Sequence, residues 1–136
     1  MKNKFYVVDT NVLLSAVFNF ESDAAKAVIH IRNTGSILTS EEIIKEYLNV
    51  FSRPKFDKWI SLETRFRFIE NIIENSIRLK VTKTITACRD PKDDIYLSLA
   101  VFAQANGIIS GDKDLLTLNP FQRIPIINAT SFLNSL

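Results

Sequence analysis

Asp9 follows directly on the apolar run Phe5-Tyr6-Val7-Val8, and Asp112 stands just beyond Ile108-Ile109, after Ser110-Gly111. Short continuous apolar runs mark strands buried on both faces of a parallel sheet. In such sheets, sites form outside the carboxyl ends of the strands. An Asp in that position also has a plain structural use, as the N-cap of the next helix. Two further segments add acids. In Asp90-Pro91-Lys92-Asp93-Asp94, Asp90 reads as N-cap, Pro91 as the first helical residue and Asp93 as a first-turn acid that favours the helix dipole. Asp94 stacks with Leu97, Ser98 and Val101 and so faces inward, where a carboxylate needs a partner or a cation. Glu46 lies on a helix whose apolar stripe, at about 100° per residue, runs from Val50 round to Leu48. Glu46 borders that stripe beside Val50 and Glu41 borders its other side, while Glu42 and Lys45 point further toward solvent.

Asp9, Glu46, Asp94 and Asp112 can therefore converge at one end of a sheet. Four carboxylates in one pocket repel, and divalent cations relieve that repulsion. Oxygen donors suit Mg²⁺ or Mn²⁺, and such ions activate water and stabilise charge on a phosphoryl group. The chemistry expected is metal-dependent phosphodiester hydrolysis. The composition excludes rivals. The single Cys (Cys88) and single His (His30) cannot fill a Cys/His zinc site or form a disulfide within the chain, and any His-based mechanism would depend on His30 alone. His30 reads as a surface residue and Cys88 as a small buried or loop residue rather than a reactive thiol.

The elements that must position these acids follow from the pattern. The chain has 136 residues, 46% hydrophobic and 24% charged, which fits a single domain over residues 1–136. Strands are expected at Phe5–Val8, Ile37-Leu38, Ile108-Ile109 and Ile124–Ile127, with an edge strand around Leu79 and Val81. Helices are expected after Asn11, from Ser22 to about Asn33, from Ser40 to Arg53-Pro54, from Ser61, from Asp90 to Asn106-Gly107, and from Ala129. Short strands alternating with helices predict an α/β layered fold with a mainly parallel sheet.

Four segments in this order resemble the PIN-domain ribonucleases: Val7-Val8-Asp9-Thr10-Asn11-Val12, Ser40 through Arg53-Pro54-Lys55-Phe56, Asp90-Pro91-Lys92-Asp93-Asp94 leading to Leu97 and Ala100, and Ile109-Ser110-Gly111-Asp112-Lys113-Asp114-Leu115. The likeness is greatest to the small stand-alone VapC-like toxins of toxin–antitoxin pairs. It implies a three-layer α/β/α sandwich with a five-stranded sheet of order 3-2-1-4-5. It implies RNA cleavage with one or two Mg²⁺ or Mn²⁺ ions, leaving a 5′-phosphate and a 3′-hydroxyl. Carried over, Asp9, Glu46, Asp94 and Asp112 are the catalytic metal ligands, with Asp93 the alternative register for the third. Asp114 is an accessory acid, and Asn11 and Ser110 are supporting polar residues. An antitoxin protein and a homodimer are the partners this resemblance implies.

The net charge of +2 hides an uneven distribution, since basic residues crowd the middle of the chain and only Lys113 and Arg123 follow Lys92. Arg53, Lys55 and Lys58, interleaved with Phe56 and Trp59, are candidate RNA contacts, the alternative being solvated charges around core aromatics. The face of Phe66, Ile69 and Ile73 reads as core that could also dock a partner helix. Two other functions compete. A haloacid-dehalogenase-like phosphatase needs a second Asp two residues after the first, where this chain has Asn11. A catalytically inactive module binding RNA or a protein would not need the complete acid set. With no apolar run long enough for a signal peptide or a membrane span, a cytoplasmic protein is expected.

Overall fold

The apolar runs become the strands. In the computed structural model, which describes residues 3–136, β1 (Lys4–Val8), β2 (Gly35–Thr39), β3 (Ile77–Arg78), β4 (Gly107–Ile109) and β5 (Ile126–Ile127) form an all-parallel sheet in the order β3-β2-β1-β4-β5. The expected sheet order is the observed one. Around it run α1 (Thr10–Phe18), α2 (Asp23–Thr34), α3 (Glu41–Phe51), α4 (Leu62–Glu74), α5 (Asp94–Ala103), the short α6 (Lys113–Leu116) and α7 (Ala129–Asn134). Right-handed crossovers carry α1 to α4 over one face of the sheet and α5 and α6 over the other. The core lies between these layers: Val7, Val8, Ile108 and Ile109 from the sheet, Leu13, Ile31, Tyr47 and Ile69 from one helical layer, Leu97 and Leu99 from the other. Among the described residues, no helix is long and apolar enough to cross a membrane.

The serine caps act as expected. The hydroxyls of Ser22, Ser40 and Ser61 accept from the backbone N–H groups of Ala25, Ile43 and Thr64, fixing where α2, α3 and α4 begin. Gly35 ends α2 and also opens β2. A Cβ there would lie 1.9 Å from the carbonyl oxygen of Lys4, so the parallel start of β1 and β2 demands glycine.

Boundaries differ where tertiary partners intervene. The edge strand is Ile77–Arg78, two residues earlier than the Leu79/Val81 alternation suggests. The Leu79 N–H still reaches the Thr39 carbonyl, but β2 ends there and leaves the chain beyond it nothing to pair with. Helix α5 stops at Gln104, in the left-handed region at φ 52°, before Asn106-Gly107. Asn106 instead brackets Phe5, its side chain accepting from the Phe5 N–H and its own N–H donating to the Phe5 carbonyl. Gly107 is then free to begin β4. Leu48 is exposed at the margin of its stripe, and His30 is half-buried, edge-on to Phe132.

Candidate active site

Strand register brings the first two acids together. Val8 pairs with Ile109, so the next residues, Asp9 and Ser110, emerge side by side at the carboxyl ends of the two central strands. The Asp9 N–H continues the ladder to the Ile109 carbonyl. The Ser110 hydroxyl donates to Asp9 Oδ2 at 2.7 Å and accepts from the Asp112 N–H at 3.0 Å. A single buried serine thus fixes Asp9 and the turn that carries Asp112. Burial pushes the Asp9 carboxyl above the ordinary carboxylate value, and the charge of Asp112 adds to this, while the bonds from Ser110 and the Asn11 N–H act against it. Asp112 is also the N-cap of α6, accepting from the Asp114 N–H at 2.9 Å. Asn11 and Asp114 reach the cluster through their backbone N–H groups.

The segment that supplies the third acid divides its labour differently from the sequence expectation. A turn of 3-10 helix, Pro91–Asp93, capped by Asp90, precedes α5. Its tighter winding changes the angular register that a continuous α-helix would give. Asp94 does face inward and is buried, as its spacing requires. Its Oδ1, however, accepts from the N–H groups of Ala87 at 3.0 Å and Cys88 at 2.7 Å. Burial opposes the Asp94 charge, but these two donors outweigh it and hold the carboxyl below its ordinary value. The partner that an inward carboxylate needs is here the backbone. Asp93 faces Asp112 and Asp9 instead. Its Oδ2 is buried with no hydrogen-bond partner, and burial, then Asp112, Asp9 and Asp90, push its carboxyl up to about 7. The structure therefore joins Asp93, not Asp94, to Asp9 and Asp112.

Glu46 is half-buried on α3 and close enough to Tyr96 for its charge to add to the effects of burial and of Asp9, which raise that phenol. The Tyr96 hydroxyl shares a 2.6 Å hydrogen bond with Thr10, next to Asp9. The Tyr47 hydroxyl, one position from Glu46, donates to the Val8 carbonyl. These two buried tyrosines wall the cluster and tie α3 and α5 to the end of β1. The sequence reading gave neither a role at the site, although Tyr47 immediately follows Glu46 and Tyr96 lies two residues after Asp94. Cys88 is an inert thiol, pushed up to about 12 by burial and then by Asp94.

The basic segment after α3 is organised by a residue that the sequence reading overlooked. Arg65 is fully buried and donates to the carbonyls of Phe51 at 2.8 Å, Ile60 at 2.6 Å and Arg53 at 3.2 Å, and to Asp57 Oδ1 at 2.9 Å. Its signal was its position seven and four residues before Ile72 and Ile69, on the same buried face. Ile69 is core and Phe66 and Ile73 pack against it, so that face is a core face. Phe56 is half-buried, whereas Trp59 is 64% exposed and stands outside the core.

Among the described residues, no three His, Cys, Asp or Glu side chains are grouped so that they could together hold a metal ion. The donors present nonetheless suit a hard divalent cation. All are oxygens, one buried carboxylate oxygen has no partner, Asp112 raises both Asp9 and Asp93, and Asp9 raises Asp93 as well. Mg²⁺ commonly takes one or two carboxylates and keeps waters for its remaining positions.

The PIN-domain family profile matches residues 6–114, and the chain belongs to that family, whose members are generally nucleases. The fold is similar to that in the crystal structure of VapBC2 from Rickettsia felis bound to a DNA fragment from their promoter. The match has a TM-score of 0.63 and 11% identity over 91% of this chain and 98% of that one. It is also similar to PAE2754 from Pyrobaculum aerophilum, with a TM-score of 0.64 and 15% identity over 97% of this chain and 88% of that one. No curated protein sequence matches the chain.

Proposed function

We propose that this PIN-domain protein is a metal-dependent endoribonuclease, the toxin of a toxin–antitoxin pair. The observation that carries the reading is the cluster of Asp9, Asp93 and Asp112, drawn from three separate elements to the carboxyl end of the central strands, with a buried Asp93 oxygen left unpartnered. Asp9 and Asp112 also serve as N-caps of α1 and α6, but capping does not account for a third acid, Asp93, set against them, and a cation would relieve the repulsion.

In this reading, Asp9, Asp93 and Asp112 hold one or two Mg²⁺ or Mn²⁺ ions, with Glu46 and Asp114 at the margin. Asp94 is kept as a positioning residue. Bound there, a divalent ion lowers the pKa of a water and stabilises charge on the phosphoryl group. Ser110 keeps Asp9 oriented by donating to its Oδ2. Tyr96 and Thr10, both buried and hydrogen-bonded to each other, line the core side of Asp9. The similarity in fold to VapBC2 supports an antitoxin partner.

The test is incubation with a panel of RNAs, with Mg²⁺ or Mn²⁺ and with EDTA, followed by mapping of product ends. Metal-dependent cleavage leaving 5′-phosphates is expected, together with its loss in Asp9→Asn while thermal unfolding still shows a folded protein. Undiminished cleavage in excess EDTA, or full activity of Asp9→Asn, overturns the assignment.

A further inference from the structure

The loop between α3 and α4 and the end of α1 present two aromatic rings to solvent, beside Phe56, which is half-buried against the core. Trp59 is 64% exposed and Phe18, at the end of α1, 39% exposed. Phe18 packs at 5.4 Å centroid distance on Phe56 and at 6.4 Å, edge-on, against Trp59. Lysine ammonium groups lie over two of these rings, Lys58 at 4.6 Å from Trp59 and Lys55 at 5.2 Å from Phe56. The one acid between Arg53 and Ile60, Asp57, has its carboxylate engaged by Arg65, so the cationic charge here has no local counter-charge to spare.

We infer that Phe18, Phe56 and Trp59, with Lys55 and Lys58, form a stacking platform for unpaired nucleotides of a single-stranded RNA, outside the acid cluster. Base–aromatic stacking beside a cationic track is how single strands are held without sequence readout. A protein partner is the weaker match, because lysine is depleted from protein–protein interfaces. Each lysine has a flexible stem that lets its ammonium leave the ring for a phosphate as a base takes its place. The platform is built in advance. Arg65, wholly buried, spends its guanidinium on three carbonyls and Asp57 of this loop, and so fixes the rings before any ligand arrives. Helix α1 links the platform to the acids. It begins at the Asp9 cap and ends at Phe18, a span of about 13 Å at 1.5 Å per residue, so one strand can engage both.

The inference rests on the ribonuclease reading for why a strand is bound, but binding is measurable without cleavage. Trp59 is the single tryptophan of the chain, so intrinsic fluorescence reports on the platform alone. In EDTA, a short oligouridylate is expected to quench Trp59 emission saturably, with the effect weakening as salt rises, while a duplex RNA of the same length quenches far less. Phe18→Ala and Lys58→Ala, assayed by anisotropy of labelled oligouridylate, are expected to weaken binding, the first by about 5- to 150-fold and the second with a shallower salt dependence. Oligouridylate binding that leaves Trp59 emission unchanged overturns the proposal, as does absence of binding. A Trp59 emission shift that tracks protein concentration without RNA also overturns it and assigns the face to a second copy of the chain. Quenching that persists where no RNA is cleaved in Mg²⁺ or Mn²⁺ would retain the platform and remove the nuclease reading. Cleavage without quenching would do the reverse.

Discussion

Asp93 and Asp94 are neighbours in the chain with opposite electrostatics. Folding raises the Asp93 pKa to about 7 from an ordinary 3.8. Below about pH 4 the carboxyl is protonated in both folded and unfolded chains and costs nothing. As pH rises toward 7 the unfolded chain ionises first, so stability falls, and above about pH 7 the penalty is complete. In EDTA, Asp93→Asn is therefore expected to stabilise the protein at pH 8 by about 1–2 kcal/mol and to be neutral near pH 4. That figure is discounted from the roughly 1.4 kcal/mol per pKa unit because Asp93 is partly solvated. Urea titrations at the two pH values check it. Asp94 behaves in the opposite sense, since its lowered pKa contributes stability that is present at neutral pH and lost as pH falls through the carboxylate range. Asp94→Ala orphans two N–H groups and is expected to cost about 2 kcal/mol or more. Asp94→Asn retains an acceptor for both donors and is expected to keep most stability and cleavage. A loss of activity in Asp94→Asn equal to that of Asp93→Asn would return Asp94 to the metal site.

At the scale of elements, the loop between α3 and α4 depends on one side chain. Arg65 satisfies carbonyls at the end of α3 and on either side of the 3-10 turn Pro54–Phe56. Arg65→Ala leaves the carbonyls that Arg65 served without donors, while Asp57, more than half exposed, stays solvated, so it is expected to cost about 3 kcal/mol. It is also expected to loosen Trp59, read as faster quenching of its emission by acrylamide. Arg65→Lys should recover little, because an ammonium cannot reproduce a planar fork reaching four acceptors. The start of α3 was legible in the sequence because Ser40 is a local cap. The loop was not, because the four acceptors of Arg65 are spread over residues 51 to 60 and meet only once α4 has packed.

Over the whole molecule, the order β3-β2-β1-β4-β5 reverses direction at β1, between β1 and β4, and the acids gather at that switch point. The acids repel one another, so binding of a cation there would be coupled to folding stability. Mn²⁺ at saturating concentration is expected to raise the thermal midpoint by several degrees, as ligand linkage of about 2–3 kcal/mol would do in a domain of this size. The rise should vanish in Asp9→Asn. An equal rise in both proteins would locate the ion elsewhere. The similarity in fold to VapBC2 and PAE2754 at 11% and 15% identity shows how little shared sequence this fold needs.

The sequence by itself determined the alternation of strands and helices, the serine caps, and the positions of Asp9 and Asp112 at strand ends, because periodicity and capping are properties of short stretches of chain. It also determined that Asp94 faces inward. Only the tertiary structure decided what Asp94 meets there. The N–H groups of Ala87 and Cys88 come from a segment with no periodicity of its own, held against α5 by Asp94 and by the Ser98 hydroxyl, which accepts from the Ile85 N–H. With Asp94 occupied in that way, the carboxylate left facing Asp9 and Asp112 is Asp93. Which of two adjacent acids faces Asp9 and Asp112 is set by the pitch of one 3-10 turn and by the path of the irregular segment just before it, and neither follows from helical periodicity.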